Sequence, residues 1–373
     1  MTDTGARLEQ LLEDYVERGV IPGAVAAVGD DVVAVGAAST GGPPMQTDAI
    51  FRIQSMTKAV TSVAALRFVE EGRIGLEDAI DEWMPELAQR RVLRTPTAQL
   101  DDSVPASRPI TLRHLLTNTS GYGSIMVESP LARAMTENGT EGGPQSPELD
   151  AEEWLRRIAT LPLAFQPGEG WRYHHSFAIL GILLSRLAGA PLGEHLRRVI
   201  FDPLGMPDTD FSIPMEKAHR LPPAYRDVDG ELVETEPAGA GFSVGPPPFD
   251  VSHGELVSTA ADFMRFERML ARGGDGIVSP EHLRLMTTDQ VPDRVKTDDS
   301  FFPGFWSGTG WGFGVAVVTA GEHRGRYGWS GGQGTDFYVD PDGTPAVLLT
   351  QVEMGGTIMP LLSEFQSVRD DRR

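Results

Sequence analysis

The sequence predicts an α/β (α+β) protein: an antiparallel sheet flanked by helices, with a mostly helical domain inserted into it. Three observations carry this. An apolar hairpin pattern lies near the start of the chain, four strand-like runs lie near its end, and the stretch between them is dominated by helical periodicity and loops. One sheet that draws strands from both ends is the economical packing. The expected division places residues 1–75 and 250–373 in the sheet domain and 76–249 in the insertion. A chain of 373 residues suits one large domain or two packed together.

In order, residues 6–19 read as a helix with Leu8, Leu11, Leu12 and Tyr15 on one face. "PGAVAAVGDDVVAVGAAS" reads as two strands around a Gly-Asp-Asp turn. From Ser55 to about Glu71 the pattern is helical and apolar, with Gly72 as its stop. Residues 76–90 suggest another short helix. "RTPTAQLDDSVPASRP" and "ENGTEGGPQSPELD" are rich in Pro, Gly and acids and read as loops. Helices are expected in "ITLRHLLTNTSGYG", "AEEWLRRIATLPLAF", "SFAILGILLSRLAG", "GEHLRRVIFDPLGM" and "STAADFMRFERMLARGG". The last part, "GWGFGVAVV", "HRGRYGWSGG", "GTDFYVDPDG" and "PAVLLTQVE", reads as antiparallel strands, and "TIMPLLSEFQSV" as a closing helix.

Composition narrows the function. The formal charge of −21 disfavours nucleic acid and anionic membrane as partners. With no cysteine there is no disulfide, thiolate metal site or cysteine nucleophile. The N-terminal stretch has no basic segment followed by an apolar one, so no signal peptide is expected. No run approaches the roughly 20 apolar residues of a membrane helix, and a cytoplasmic protein is the default expectation.

The chain has only three lysines, Lys58, Lys217 and Lys296. One of them stands in the apolar run "FRIQSMTKAV", three places after Ser55. On a helix, positions i and i+3 share a face, with Cβ atoms roughly 5–6 Å apart. A serine hydroxyl needs a base to become a nucleophile. A lysine supplies one when burial or nearby positive charge pulls its pKa down. Ser55 at a helix start also places its backbone N–H where it can stabilise an oxyanion. Tyr173, in "PGEGWRYHHSFAILG", is a candidate proton relay if the ammonium favours its ionised form. In "YGWSGGQGTDFYVD" the glycines let backbone approach a substrate, and Gly331 or Gly332 can offer a second oxyanion N–H.

"SMTK" at 55–58, "YHH" at 173–175 and "WSG" at 329–331 stand in the order of three motifs: S-x-x-K, Y-x-N (or Y-x-x) and a Lys/His-x-Gly strand. The chain therefore resembles the serine hydrolases of the class C β-lactamase and penicillin-binding-protein superfamily, family VIII carboxylesterases in particular. "FRIQSMTKAVTSVAALRFVEEGRIGLED", "ITLRHLLTNTSG", "FQPGEGWRYHHSFAILGILLSRLAGAPL", "IFDPLGMPDTDF" and "LVSTAADFMRFERML" resemble its linking segments, over roughly residues 6–365. The resemblance implies a β-lactamase/transpeptidase-like fold with a site between the two domains. It implies an acyl-enzyme on Ser55, with Lys58 and Tyr173 sharing base and acid roles and the Ser55 and Gly332 amides as oxyanion hole. His175, Trp329, Ser330 and Gly331 would bind substrate, with no cofactor and no metal.

Three positions depart from that pattern. Asn118 stands where histidine is usual and His175 where many members carry Asn. Trp329 stands where β-lactamases and D-peptidases place a lysine that holds the substrate's carboxylate. Tryptophan offers an apolar wall instead. That favours neutral carboxylic esters over β-lactams or D-amino-acid peptides, unless Arg324 or Arg326 restores a cation. A small-molecule ester or amide is the expected partner. β-Lactamase, D-peptidase or amidase, and acyltransferase activity are the alternatives.

Other readings are weaker. "GWSGG" fits the nucleophile elbow with Ser330 as nucleophile, but no histidine follows it. His174 and His175 are adjacent, so on a helix they point about 100° apart and suit a metal poorly. No P-loop or dinucleotide fingerprint is present. A non-catalytic binding protein is disfavoured because Ser55, Lys58 and Tyr173 are all present. Loops 122–150 and 237–254 are expected to line the cleft.

Overall fold

A computed structural model describes residues 2–125, 127–142 and 148–370. Seven strands form one antiparallel sheet: β1 (Gly23–Val28), β2 (Asp31–Gly36), β3 (Thr309–Trp311), β4 (Ala316–Val318), β5 (Tyr327–Gly331), β6 (Thr335–Val339) and β7 (Pro345–Leu349). Their spatial order is β2-β1-β7-β6-β5-β4-β3, so the two ends of the chain meet at the β1–β7 pair. The hairpin turn after β1 is made by Gly29, whose φ of 61° suits a residue without Cβ.

Both faces of the central strands are covered, which is why they read as apolar runs rather than alternating ones. Ala24 and Ala26 of β1 and Ala346 and Leu348 of β7 face helix α1 (Asp3–Glu17) and the closing helix α5 (Met359–Gln366), through Leu8, Leu12, Leu361 and Phe365. Val25, Ala27, Val347 and Leu349 face the other way. There they join one cluster with α2 (Thr57–Glu70), α3 (His175–Ala188) and α4 (Ala260–Ala271). That cluster continues into Leu112, Leu115, Trp154 and Leu163 of the middle segment.

Several local expectations change. Residues 76–90 hold two short 3₁₀ turns, Ile80–Glu82 and Pro85–Leu87, rather than a helix. Ala79 is extended and bridges Thr111, and Pro85 has no N–H to continue a helical ladder. The expected loop at 94–109 contains the strand Ser103–Pro105, paired with Arg91–Leu93. Ala224–Val228 and Glu231–Glu236 form a further hairpin. Its Asp229-Gly230 turn, with both φ positive, was the available signal. Helices Pro130–Glu137 and Pro280–Met286 each start with a Ser N-cap followed by Pro, another readable sign. Among the described residues, no single helix is long and apolar enough to cross a membrane.

One buried acid makes a stability prediction. Glu267 of α4 is fully buried, and its Oε2 accepts the Ala346 N–H at 2.8 Å. Burial holds its carboxyl well above the usual range. The unfolded chain releases this proton near pH 4.3, whereas the native protein keeps it. Stability is therefore lost as pH rises above about 4.3, by up to about 1.4 kcal/mol per pH unit until the folded pKa is reached. Glu267→Gln keeps the acceptor and removes the titration. It should raise the melting temperature at pH 8 and lose that advantage at pH 4, as thermal melts across pH would show.

Candidate active site

Ser55 sits on a 3₁₀ turn, Gln54–Met56, that runs directly into α2. Gln54 has φ 50°, so the serine follows a residue held in the left-handed region, a strain typical of functional turns. Lys58 lies in the first turn of α2 and is fully buried. Its Nζ is 2.9 Å from Ser55 Oγ and also bonds the carbonyl of His253. The same nitrogen lies 4.5 Å from the centroid of the Tyr173 ring and 6.0 Å from that of Phe177. Burial drives the Lys58 pKa well below the usual lysine value, against the opposing pull of Glu255.

Tyr173 is positioned by the turn after Leu112–Leu116. Asn118, buried with φ 58°, offers its carbonyl to Arg172 N–H at 3.0 Å, and Ser124 N–H donates to the Tyr173 carbonyl at 2.9 Å. A Cβ on Gly123 would collide with the Arg172 backbone, so glycine lets the two segments touch. This gives "LLTNTSGYG" a role that the sequence alone did not show. The phenol oxygen accepts a hydrogen bond from Trp329 Nε1–H at 2.6 Å. Burial raises the Tyr173 pKa; hydrogen bonds with Ser55 and Trp329 oppose the shift without cancelling it. Burial thus favours the free amine on Lys58 and the protonated phenol on Tyr173. The expectation of a tyrosinate stabilised by an ammonium is reversed, because burial penalises both charges.

The end of β5 rests on the Ser55 turn. A Cβ on Gly331 would run into the Ile53 carbonyl and Thr335 Oγ1, which explains a glycine there. Gly332 follows immediately, its carbonyl taken by Met354 N–H at 2.8 Å.

Two residues expected at the substrate are turned elsewhere. Ser330 alternates with Trp329 and Gly331, and its hydroxyl donates to Asp336 Oδ1 at 2.8 Å. Asp336 in turn accepts from Gln366 of α5, on the sheet face away from Ser55. His175 is buried, with Nε2 2.7 Å from the Thr140 carbonyl and its ring stacked 6.3 Å from Trp154. The chain turns sharply at His174, φ 93°, which sends Tyr173 and His175 in different directions. The His174 ring instead packs 3.8 Å from that of His253. Arg326 does not restore a cation: it is buried, bonds Asp340 Oδ1 at 2.7 Å and lies over Tyr338.

Sequence reading missed most of an aromatic wall. Trp329 meets Trp311 edge-on at 4.7 Å, Tyr173 at 5.5 Å and Phe305 at 6.0 Å. Trp171, Phe301 and Trp306 complete the cluster. The signal was "SFFPGFW", four aromatics in seven residues of an otherwise polar loop. Of the two loops expected at the cleft, 237–254 reaches the site through His253. In 122–150, Gly142 abuts His174 and His175, while residues 126 and 143–147 lie outside the described residues.

Comparisons with known proteins agree with this architecture. A family model described as Beta-lactamase matches residues 8–361. An uncharacterized protein of Mycobacterium tuberculosis is 38% identical over 315 residues, 80% of this chain and 76% of the relative. Esterase EstB of Burkholderia gladioli is 29% identical over 340 residues, 86% of this chain and 82% of the relative. The solved structure of EstCE1, described as a hydrolase with promiscuous acyltransferase activity, superposes with a TM-score of 0.79 at 26% identity. It covers 97% of this chain and 98% of its own.

Proposed function

Because the chain belongs to the β-lactamase family, we propose that it is a serine hydrolase that cleaves neutral carboxylic esters through an acyl-enzyme on Ser55. The observation that carries this is the fully buried Lys58 Nζ 2.9 Å from Ser55 Oγ, where burial favours its free-amine form, inside an aromatic-walled site. Lys58 takes the Ser55 proton as Oγ attacks the ester carbonyl. The Ser55 and Gly332 amides hold the oxyanion, and Tyr173 gives its proton to the departing alcohol. Water then resolves the acyl-enzyme by the same groups in reverse. The esterase relatives support the substrate class. Acyl transfer to a second alcohol is the alternative end of the same intermediate, favoured by the likeness to EstCE1.

Trp329 sets the preference against anionic substrates. A lysine at this position would give a charge-assisted contact worth about 1.5–3 kcal/mol to a substrate carboxylate. Its absence predicts that p-nitrophenyl butyrate is turned over at least about 10-fold more efficiently than the corresponding monoester of succinate. Penicillin G should be a poorer substrate still. Steady-state kinetics on the three compounds test this, and a preference for either carboxylate would refute the substrate class.

A further inference from the structure

The hydrogen bond between Trp329 and Tyr173 has only one possible direction. An indole N–H donates and cannot accept, so the phenol oxygen is the acceptor at 2.6 Å. The indole is itself held in place. Its ring meets Trp311 and Phe305 edge-on, and its backbone pairs with Phe337 across β5 and β6. Among the described residues, the partners of the Tyr173 hydroxyl are Ser55 and this tryptophan.

The surroundings of Lys58 say where its own lone pair points. As the free amine, the form in which it can act as a base, Lys58 has two hydrogens and one lone pair. Nζ has three neighbours: the His253 carbonyl, the face of the Tyr173 ring and Ser55 Oγ. The carbonyl and the ring face are acceptors and take the hydrogens. The lone pair is left for the Ser55 hydroxyl. Lys58 therefore meets Tyr173 at its ring, and Trp329 is the donor that reaches the phenol oxygen.

Resting on the acyl-enzyme reading above, we propose that Trp329 is a positioning residue that equips Tyr173 to protonate poor leaving groups. As the tetrahedral intermediate collapses, the bond from carbon to the alcohol oxygen breaks and its electron pair goes to that oxygen. The Tyr173 proton moves to the same oxygen. The phenolate left behind is held by the indole N–H until deacylation, when it takes a proton from the attacking water while Lys58 returns its proton to the departing Ser55 Oγ. Over the two halves the alcohol gains a hydrogen, the acid gains the hydroxyl of water, and Ser55, Lys58 and Tyr173 are restored. An alkoxide needs the Tyr173 proton before it can leave, whereas p-nitrophenolate does not. The tryptophan therefore widens the reaction from activated esters to ordinary alkyl esters.

The test compares kcat/KM for ethyl butyrate and p-nitrophenyl butyrate in wild type, Trp329→Phe and Trp329→His, with thermal melts on each. Phenylalanine keeps an aromatic wall and removes the N–H. It should cost about 10-fold or more on the ethyl ester and less than about 3-fold on the p-nitrophenyl ester. Histidine retains a donor and should recover part of the ethyl ester activity. An equal loss on both esters in both variants, or no loss in either, would overturn the proposal. Ser55 labelling by a fluorophosphonate separates the two levels. If wild type and Trp329→Phe label alike but the ester ratio is unchanged, the role of Trp329 fails and the serine hydrolase stands. If wild type does not label, the hydrolase reading itself fails.

Discussion

Ser55→Ala is expected to lower kcat/KM for short-chain esters by on the order of 10⁴-fold or more, to near the background rate. Loss of a nucleophile removes the covalent route altogether, and the remaining oxyanion donors and binding contacts recover little of it. The fold should survive. Ser55 is only half-buried, and alanine suits the turn that enters α2. A melting temperature within about 3 °C of wild type is therefore expected. A variant that melts normally and keeps activity within a few-fold of wild type would remove Ser55 from the chemistry.

Lys58→Met should separate catalysis from stability. A positioned general base contributes about 10²–10⁴-fold, so the variant should lose most of its rate. Its stability should rise. The unfolded chain protonates this lysine below about pH 10.4, while the native protein holds it as the free amine down to a much lower pKa. Each unit of that gap costs the wild type about 1.4 kcal/mol at pH values below the folded pKa, and nothing above pH 10.4. Methionine removes the cost but leaves the His253 carbonyl without its donor, a loss of about 1–3 kcal/mol. A net gain at pH 7 that shrinks by pH 10 is the expected pattern in chemical denaturation. The same linkage gives kcat/KM in wild type an acid limb, rising with pH as Lys58 deprotonates. Lys58→Arg should be inactive at every accessible pH, because a guanidinium cannot deprotonate there. More than a tenth of wild-type activity in Lys58→Met would contradict the assignment of the base.

Spacing and burial made part of this site legible in advance. Ser55 and Lys58 are three residues apart in an apolar helix, so their meeting follows from local geometry alone. Tyr173 and Trp329 are 156 residues apart in sequence, and only the folded protein shows that one donates to the other. Trp329 was read as an apolar wall because its size and hydrophobicity are visible in the sequence, whereas the target of its N–H is not. Ser330 could have been placed correctly. Strand alternation puts it opposite Trp329 and Gly331, and Asp336 waits on that side. His175 could not have been, since its direction depends on the left-handed turn at His174. In the fold, the apolar strands at both chain ends were readable because burial on both faces leaves a continuous pattern. The hairpin at 224–236 was passed over because it is largely exposed and polar, and that at 91–105 because its strands are only three residues each.

Intact-protein mass spectrometry after exposure to a fluorophosphonate, followed by peptide mapping, tests the acyl-enzyme most directly. A single adduct on the peptide that contains Ser55, absent from Ser55→Ala, is the predicted result. No adduct on wild type, or one located on Ser330 or any other residue, would contradict the account.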